Sequence, residues 1–535
     1  MYKKRFQVFL AIISMFSVNF VFAQEINPLL ILREQTVKSQ KLTVNPLKME
    51  QSDSIKSLTD IKYFFGSQES QYLNFRHSQS FSKKASINIL YSSSSGEGNL
   101  VEDEFKYSNL ILSGNYEGDK FILRSRLKFE QETRQENGGL LTDSLFVQSD
   151  LAQKFIEVNL KSNNSDRKRL VVRDTLEYKI SNNAKINAFI NFNHFDRNYK
   201  GFGVSDSSFY QDILIDSVGR VDYYRNRNLD YGLGFNLSKG RRDFSMGSFL
   251  ISDFYFNGSK VDTFGVGLYA AGVVYDSNYT IGLNLKYYLS GFRQNGFEVG
   301  LNYSSNLESG LIIGAILSSN LLPVSYDRMR FSGNYYNWDF DSSNYEFSNN
   351  LHFGISDSAG SWGLACHVSY SQNYFYFDSM MNPTQVNRAG LLRLNFQKRF
   401  KLKKFKFPLS IVSYPLISYE IRNPLVSISA GVLYSFEAFK SNLKVETGIL
   451  ANWFSAYNAK AYEPSTGRFY LQDEQKIGNY PYLDFILKTS IKDASFFIIV
   501  THLNQDLTGR NYFHMPRYLE LQRRFVFGLN WRFVN

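Results

Sequence analysis

The chain ends "RRFVFGLNWRFVN" (523–535). Taken in steps of two, one phase holds Phe525, Phe527, Leu529, Trp531 and Phe533; the other holds Arg524, Val526, Gly528, Asn530, Arg532 and Val534. Period two is the side-chain period of a β-strand. A chain terminus ordinarily frays. A terminal strand with one wholly apolar face therefore needs a medium to cover that face and a partner for its backbone. A transmembrane β-barrel supplies both. Lipid covers the outer face, and the first strand takes the free edge, because open edges do not occur in hydrocarbon. Phe525, Phe527, Leu529, Trp531 and Phe533 are thus expected on the lipid face of a barrel-closing strand.

The same period recurs upstream. In "KFILRSRLKFE" (120–130), Phe121, Leu123, Leu127 and Phe129 share a face with Ser125, and Arg124, Arg126, Lys128 and Glu130 share the other with Ile122. "NLDYGLGFNLS" (228–238), "YTIGLNLKYYLS" (279–290) and "YLDFILKTSI" (482–491) repeat the pattern. Alternation over about 10 residues is what a transmembrane strand requires. "NYEGD" (115–119), "SKGRR" (238–242), "DSN" (276–278) and "KDA" (492–494) are tight turns, whereas residues 131–150, 197–226 and 456–480 are long connectors. Short turns at one end and long loops at the other are the outer-membrane barrel layout. The expected fold is all-β: one transmembrane antiparallel β-barrel of roughly 20 strands, range 16–24. An exported β-sandwich would also alternate, but with its aromatic face turned inward and with more proline than the 10 in these 535 residues.

Composition agrees. Phe (48) and Tyr (36) are abundant while mean hydropathy is only −0.29, so apolar and polar residues must segregate at short period. After the N-terminus no apolar run approaches the roughly 20 residues of a spanning helix; the longest is "GLIIGAIL" (310–317). The N-terminus itself, "MYKKRFQVFLAIISMFSVNFVFAQE", has a basic start at Lys3–Arg5, an apolar core, and Val21 and Ala23 placed for cleavage before Gln24. This is a secretory signal layout. The expected organisation is a signal peptide at 1–23, a polar periplasmic extension at 24–60 and the barrel at 61–535.

The last 80 residues carry a further pattern: Tyr462, Pro464, Thr466, Gly467, Phe469, Tyr470 and Gln472, then "GNYP" (478–481), then Gly528, Trp531 and Phe533. "ENGG" (136–139) and "YYNWDF" (335–340) accompany it. Together these resemble the putative porin family of Bacteroidetes-type outer membranes. The resemblance implies an outer-membrane barrel acting as a diffusion channel. It is thinner at "HMPRYLELQRR" (514–524), which keeps part of the family's proline-rich step. The terminal aromatic alternation resembles the signal read by outer-membrane assembly machinery, displaced here by Val534 and Asn535.

No motif for chemistry emerges. The histidines His77, His194, His352, His367, His502 and His514 show neither HExxH spacing nor a cluster. Cys366 and His367 are adjacent, so on one strand they face opposite sides. "GFGVSD" (201–206) lacks the helix and lysine of a phosphate loop. The expectation is no enzyme, no catalytic residue, no metal and no cofactor. Dispersed carboxylates such as Asp339 and Asp341 leave a surface enzyme as the least favoured reading. The formal charge of +11 is interspersed with acids in an exported chain, which argues against nucleic acid and for lipid, lipopolysaccharide and a solvated lumen. Arg124, Arg126 and Lys128 are the expected pore-lining residues; basic rows bias a pore toward anions, but Glu130 and acids on neighbouring strands are expected to neutralise much of this row, leaving a weak anion preference. The favoured function is passive diffusion of small polar solutes or ions across the outer membrane. The alternative is a structural or secretion-associated barrel whose long loops bind an envelope partner.

Overall fold

The computed structural model describes residues 57–535 except 143–154, 211, 341–344, 508 and 535. The signal peptide read at 1–23 and all but the last residues of the extension read at 24–60 lie outside the described residues. The first strand begins at Ser57.

Twenty-two strands form a single antiparallel sheet that closes on itself. Each pairs with its neighbours in sequence, from Ser57–Gly66 round to Phe525–Val534. Closure is made by these two, with Leu58 opposite Val534, Ile61 opposite Trp531 and Phe65 opposite Phe527. No edge remains for lipid to meet, as an up-and-down barrel requires. The expected class is therefore observed, with a strand number inside the expected range.

Alternation sets which way each strand faces. On Phe121–Gln135, Phe121 is 48% exposed and Ile122 is 3% exposed. Leu123 and Phe129 continue the outward row and lie beside Leu176 and Leu170 of the next strand, Asn164–Lys179. On the closing strand, Phe525, Phe527, Trp531 and Phe533 point outward, and Val526, at 1% exposure, points into the bore. Turning Arg124, Arg126 and Lys128 to lipid would cost about 2–4 kcal/mol each near the midplane. That penalty fixes the phase of the strand.

Connectors at one end are four residues or fewer, as at 83–84, 118–120, 240–241, 276–278, 403–404 and 492–493. Gly240 has φ +62°, the left-handed conformation such a tight hairpin demands. The opposite end carries 136–163, 201–220, 323–345, 455–481 and 501–524. The strands Ala184–Lys200 and Val221–Lys239 run well past the roughly 9–11 residues a membrane needs. Their outward faces turn polar there. Arg225 Nε bonds Asp196 at 2.8 Å, and Arg227 Nε donates to His194 Nδ1 at 3.0 Å. This marks the upper limit of the apolar belt.

Candidate functional site: a bore closed by its own loops

A ring of 22 strands spaced about 4.8 Å apart and tilted about 40° is on the order of 40 Å across. Unobstructed, it would pass folded peptides. What fills it decides what it can do.

The bore is crossed at the loop end by a small hairpin. Residues Ala461–Glu463 pair with Arg468–Tyr470, and the connecting turn is "PSTG" (464–467). The hairpin springs from the strands Leu443–Phe454 and Tyr482–Ile491, yet its tip docks on Asn164–Lys179 and Ala184–Lys200, nearly opposite in the ring. The residues it meets belong to the luminal phase of that far wall. Arg197, 2% exposed, donates Nη1 to the main-chain oxygen of Ser465 at 2.5 Å and Nη2 to that of Pro464. Arg167 donates to Tyr462 Oη at 2.9 Å, and Tyr462 Oη donates to Glu136 at 3.1 Å. Gly467 sits flat against the guanidinium, at φ +66°; a Cβ there would lie 2.8 Å from Arg197 Nε. Only glycine allows both the turn and that approach.

Other loops brace the hairpin. Arg468 donates to the Asp327 carboxylate at 2.7 Å. Tyr336 Oη donates to Glu463 at 3.2 Å, and Ser465 donates to the same side chain through its amide and its hydroxyl. Burial pushes the Glu463 carboxyl up to about 7, against the pull of the Ser465 and Tyr336 bonds. Tyr210, in the 201–220 loop, stacks on Tyr335 at 3.8 Å between ring centroids. The "GFGVSD" stretch ends in a short 3-10 turn, Gly203–Asp206. Its Asp206 carboxylate accepts from Asn163, from the Phe202 amide and from Tyr335. The connector read at 197–226, whose length suggests the segment that folds inward to narrow the pore, is a loop only at 201–220, since strands reach Lys200 and resume at Val221. It packs into the mouth, but residues 461–470 make the crossing. Every residue of the Tyr462–Gln472 pattern except Gln472 belongs to this crossing segment. A dense run of specific residues in a region too long for a turn was the available signal for it.

The basic row lies deeper. Arg124, Arg126 and Lys128 occupy the luminal phase of Phe121–Gln135, with Asn115, Ser113 and Ile111 beside them on one neighbour and Thr175, Arg173 and Val171 on the other. Arg124 pairs with Glu177 at 2.6 Å and Lys128 with Glu130 at 2.7 Å. Arg126 stands directly across from Arg173. Carboxylates therefore offset part of the row, and Arg126 and Arg173 bring two like charges to one level.

The remaining sequence candidates are placed apart. Cys366 lies opposite Leu394 on the outward phase, while His367 stacks on His352 at 3.9 Å on the luminal phase. Asp339 pairs with Arg330, and Asp341 lies outside the described residues.

A family model described as "Putative porin" matches residues 40–535. Solved structures share the fold at low identity. The ferric enterobactin receptor of Pseudomonas aeruginosa is 12% identical, over 90% of this chain and 81% of that one, at TM-score 0.60. The siderophore receptor PirA of Acinetobacter baumannii is 10% identical, over 90% and 81%, at TM-score 0.61. The ferric-catecholate import receptor Fiu of E. coli K12 is 11% identical, over 89% and 82%, at TM-score 0.59. No curated protein matches the sequence.

Proposed function

The chain belongs to the putative porin family, and from that premise we propose that it is an outer-membrane channel for passive diffusion of small polar solutes or ions. The observation that carries the reading is a closed barrel, apolar outside, whose luminal phase carries Arg124, Arg126 and Lys128, with Asn115, Ser113 and Thr175 beside the two arginines. In this reading the short turns face the periplasm and the long loops face outward. The crossing hairpin narrows a bore that 22 strands would leave far too wide. Passage then depends on the hairpin's polar anchors. Lipid and lipopolysaccharide meet the aromatic belt, and the assembly machinery reads the closing strand.

A second reading draws on the same hairpin. The interlocked polar mouth suits a barrel whose loops bind an envelope partner. Recording purified protein in planar bilayers separates the two. Discrete current steps support the channel. A well-folded protein that carries no current supports the partner-binding barrel.

A further inference from the structure

At the short-turn end the luminal wall departs from the polar lining expected of a water-filled barrel. Phe64, Ile486 and Phe497 are buried there, although their strand neighbours Tyr63, Phe65, Phe496 and Ile498 already serve the lipid face. Phe497 meets Phe64 edge-on at 4.7 Å, and Phe64 stacks on Tyr72 at 5.1 Å. Gly528 makes room for this cluster: a Cβ on it would lie 2.0 Å from the Phe497 ring. These apolar groups line one side of a cavity of about 700 Å³.

The other side is basic. Seven cationic side chains line the cavity against three carboxylates, Asp60, Glu446 and Asp493. Two of the carboxylates are committed to the wall. Glu446 is bonded by Lys406 and Ser435 and stands directly opposite Lys488. Asp60 lies between Arg76 and Arg532 in register. Lys401 and Lys406 oppose each other across one hairpin. Like charges placed directly opposite destabilise a sheet; Glu446 offsets Lys406, and the cavity keeps an excess of cations over carboxylates.

We propose that this cavity is a binding site for a small amphipathic organic anion, a carboxylate or sulfonate carried on an aromatic or alkyl body. The apolar wall takes the body, and the Lys401, Lys488 and Arg532 group takes the charge. The volume fits a single ligand of that kind. The assignment deepens the channel reading by naming a solute class, and it rests on that reading for the solute's route to the site. Binding itself is measured without current, so the two fail separately.

The probe is naphthalene-2-sulfonate, titrated by its fluorescence into full-length protein in nanodiscs, with protein-free nanodiscs subtracted. Sulfate supplies the charge without the body, and naphthalen-2-ylmethylammonium the body without the negative charge. The expected result is naphthalene-2-sulfonate binding at least about ten-fold tighter than either control, the size of one lost charge-assisted contact. The K401E/K488E double variant should lose about ten-fold or more, and Phe497→Ser should weaken the sulfonate while leaving sulfate unchanged. Heat-modifiable migration on gels verifies that each variant is a folded barrel, and K286E, on the strand Tyr279–Tyr288, serves as a luminal charge change outside the site that should leave binding intact. Equal affinity for the anionic and cationic naphthalenes would overturn the proposal, as would binding indifferent to K401E/K488E. Binding that emerges only after deletion of residues 24–50 would also overturn it, by making the chain's own N-terminal stretch the occupant.

Discussion

Arg197 and Ser465 meet across the mouth of the barrel, guanidinium to main-chain oxygen, at 2.5 Å. The contact ties the far wall to the tip of a hairpin that starts almost half a circumference away. Hydrogen bonds to a charged donor contribute about 1.5–3 kcal/mol each, and a buried carbonyl left without its donor costs about 1–3 kcal/mol. Arg197→Met keeps most of the stem and removes both donors. The expected outcome is a barrel that still folds but opens more often, read as a higher open probability in single-channel records and faster hydrogen exchange at residues 461–470. Unchanged gating and exchange would mean that the hairpin is held elsewhere.

Glu463 makes the closure sensitive to pH. Burial raises its carboxyl from the ordinary 4.5 to about 7 in the closed mouth. When the hairpin swings into water, the group returns to the ordinary value. The closed form therefore binds the extra proton between those two values, and closure weakens as pH rises through that window. The shift corresponds to a few kcal/mol, on the order of 1.4 per unit. Open probability should be low near pH 4.5 and should climb toward pH 7.5. Glu463→Gln, neutral throughout, should stay closed across the range. A wild-type channel that opens on acidification would reverse the assigned sign.

Much of this was legible in sequence, and the limits are physical. The strand at 120–130 could be oriented because one of its phases is charged and the other is apolar. The closing strand could be paired with the first because a barrel admits no edge. "ASFFIIV" (494–500) could not be oriented, since both of its phases are apolar. Nothing local says that Phe497 faces the bore and Phe496 the lipid; Gly528 on the neighbouring strand decides it by leaving space. Likewise the Tyr462–Gln472 pattern marked a special segment, but its far-wall partners Arg167 and Arg197 lie more than 260 residues away in the chain.

The closing strand gives a prediction about assembly. Trp531 and Phe533 meet with tilted rings, 4.5 Å between centroids, on the lipid face, and their backbones pair with Ile61 and Thr59 of the first strand. Replacing both with Ser removes apolar contact with lipid where the seam forms. Less heat-modifiable barrel should be recovered from outer membranes, with fragments in the periplasm. Wild-type recovery would mean that closure does not depend on this face.

Asp174 is the odd member of an outward row, between Val172 and Leu176 and opposite Ile190, with the Ser125 hydroxyl donating to it. A polar group there is held against lipid by a single partner. Asp174→Leu should raise the temperature at which the folded gel band is lost and leave conductance unchanged. A lower transition temperature would show that the Ser125 bond contributes more than the lipid contact it displaces.

The central claim is that the luminal phase of this barrel is an ion path weakly biased toward anions, with Arg124, Arg126 and Lys128 along it. The most direct measurement is the reversal potential of single channels in a planar bilayer under a salt gradient. The wild type should show discrete steps with a reversal potential displaced toward that of the anion. Changing Arg124, Arg126 and Lys128 to Glu should move it toward the cation value without loss of folded barrel. Well-folded protein that carries no current, or a reversal potential that ignores the triple change, would contradict the account.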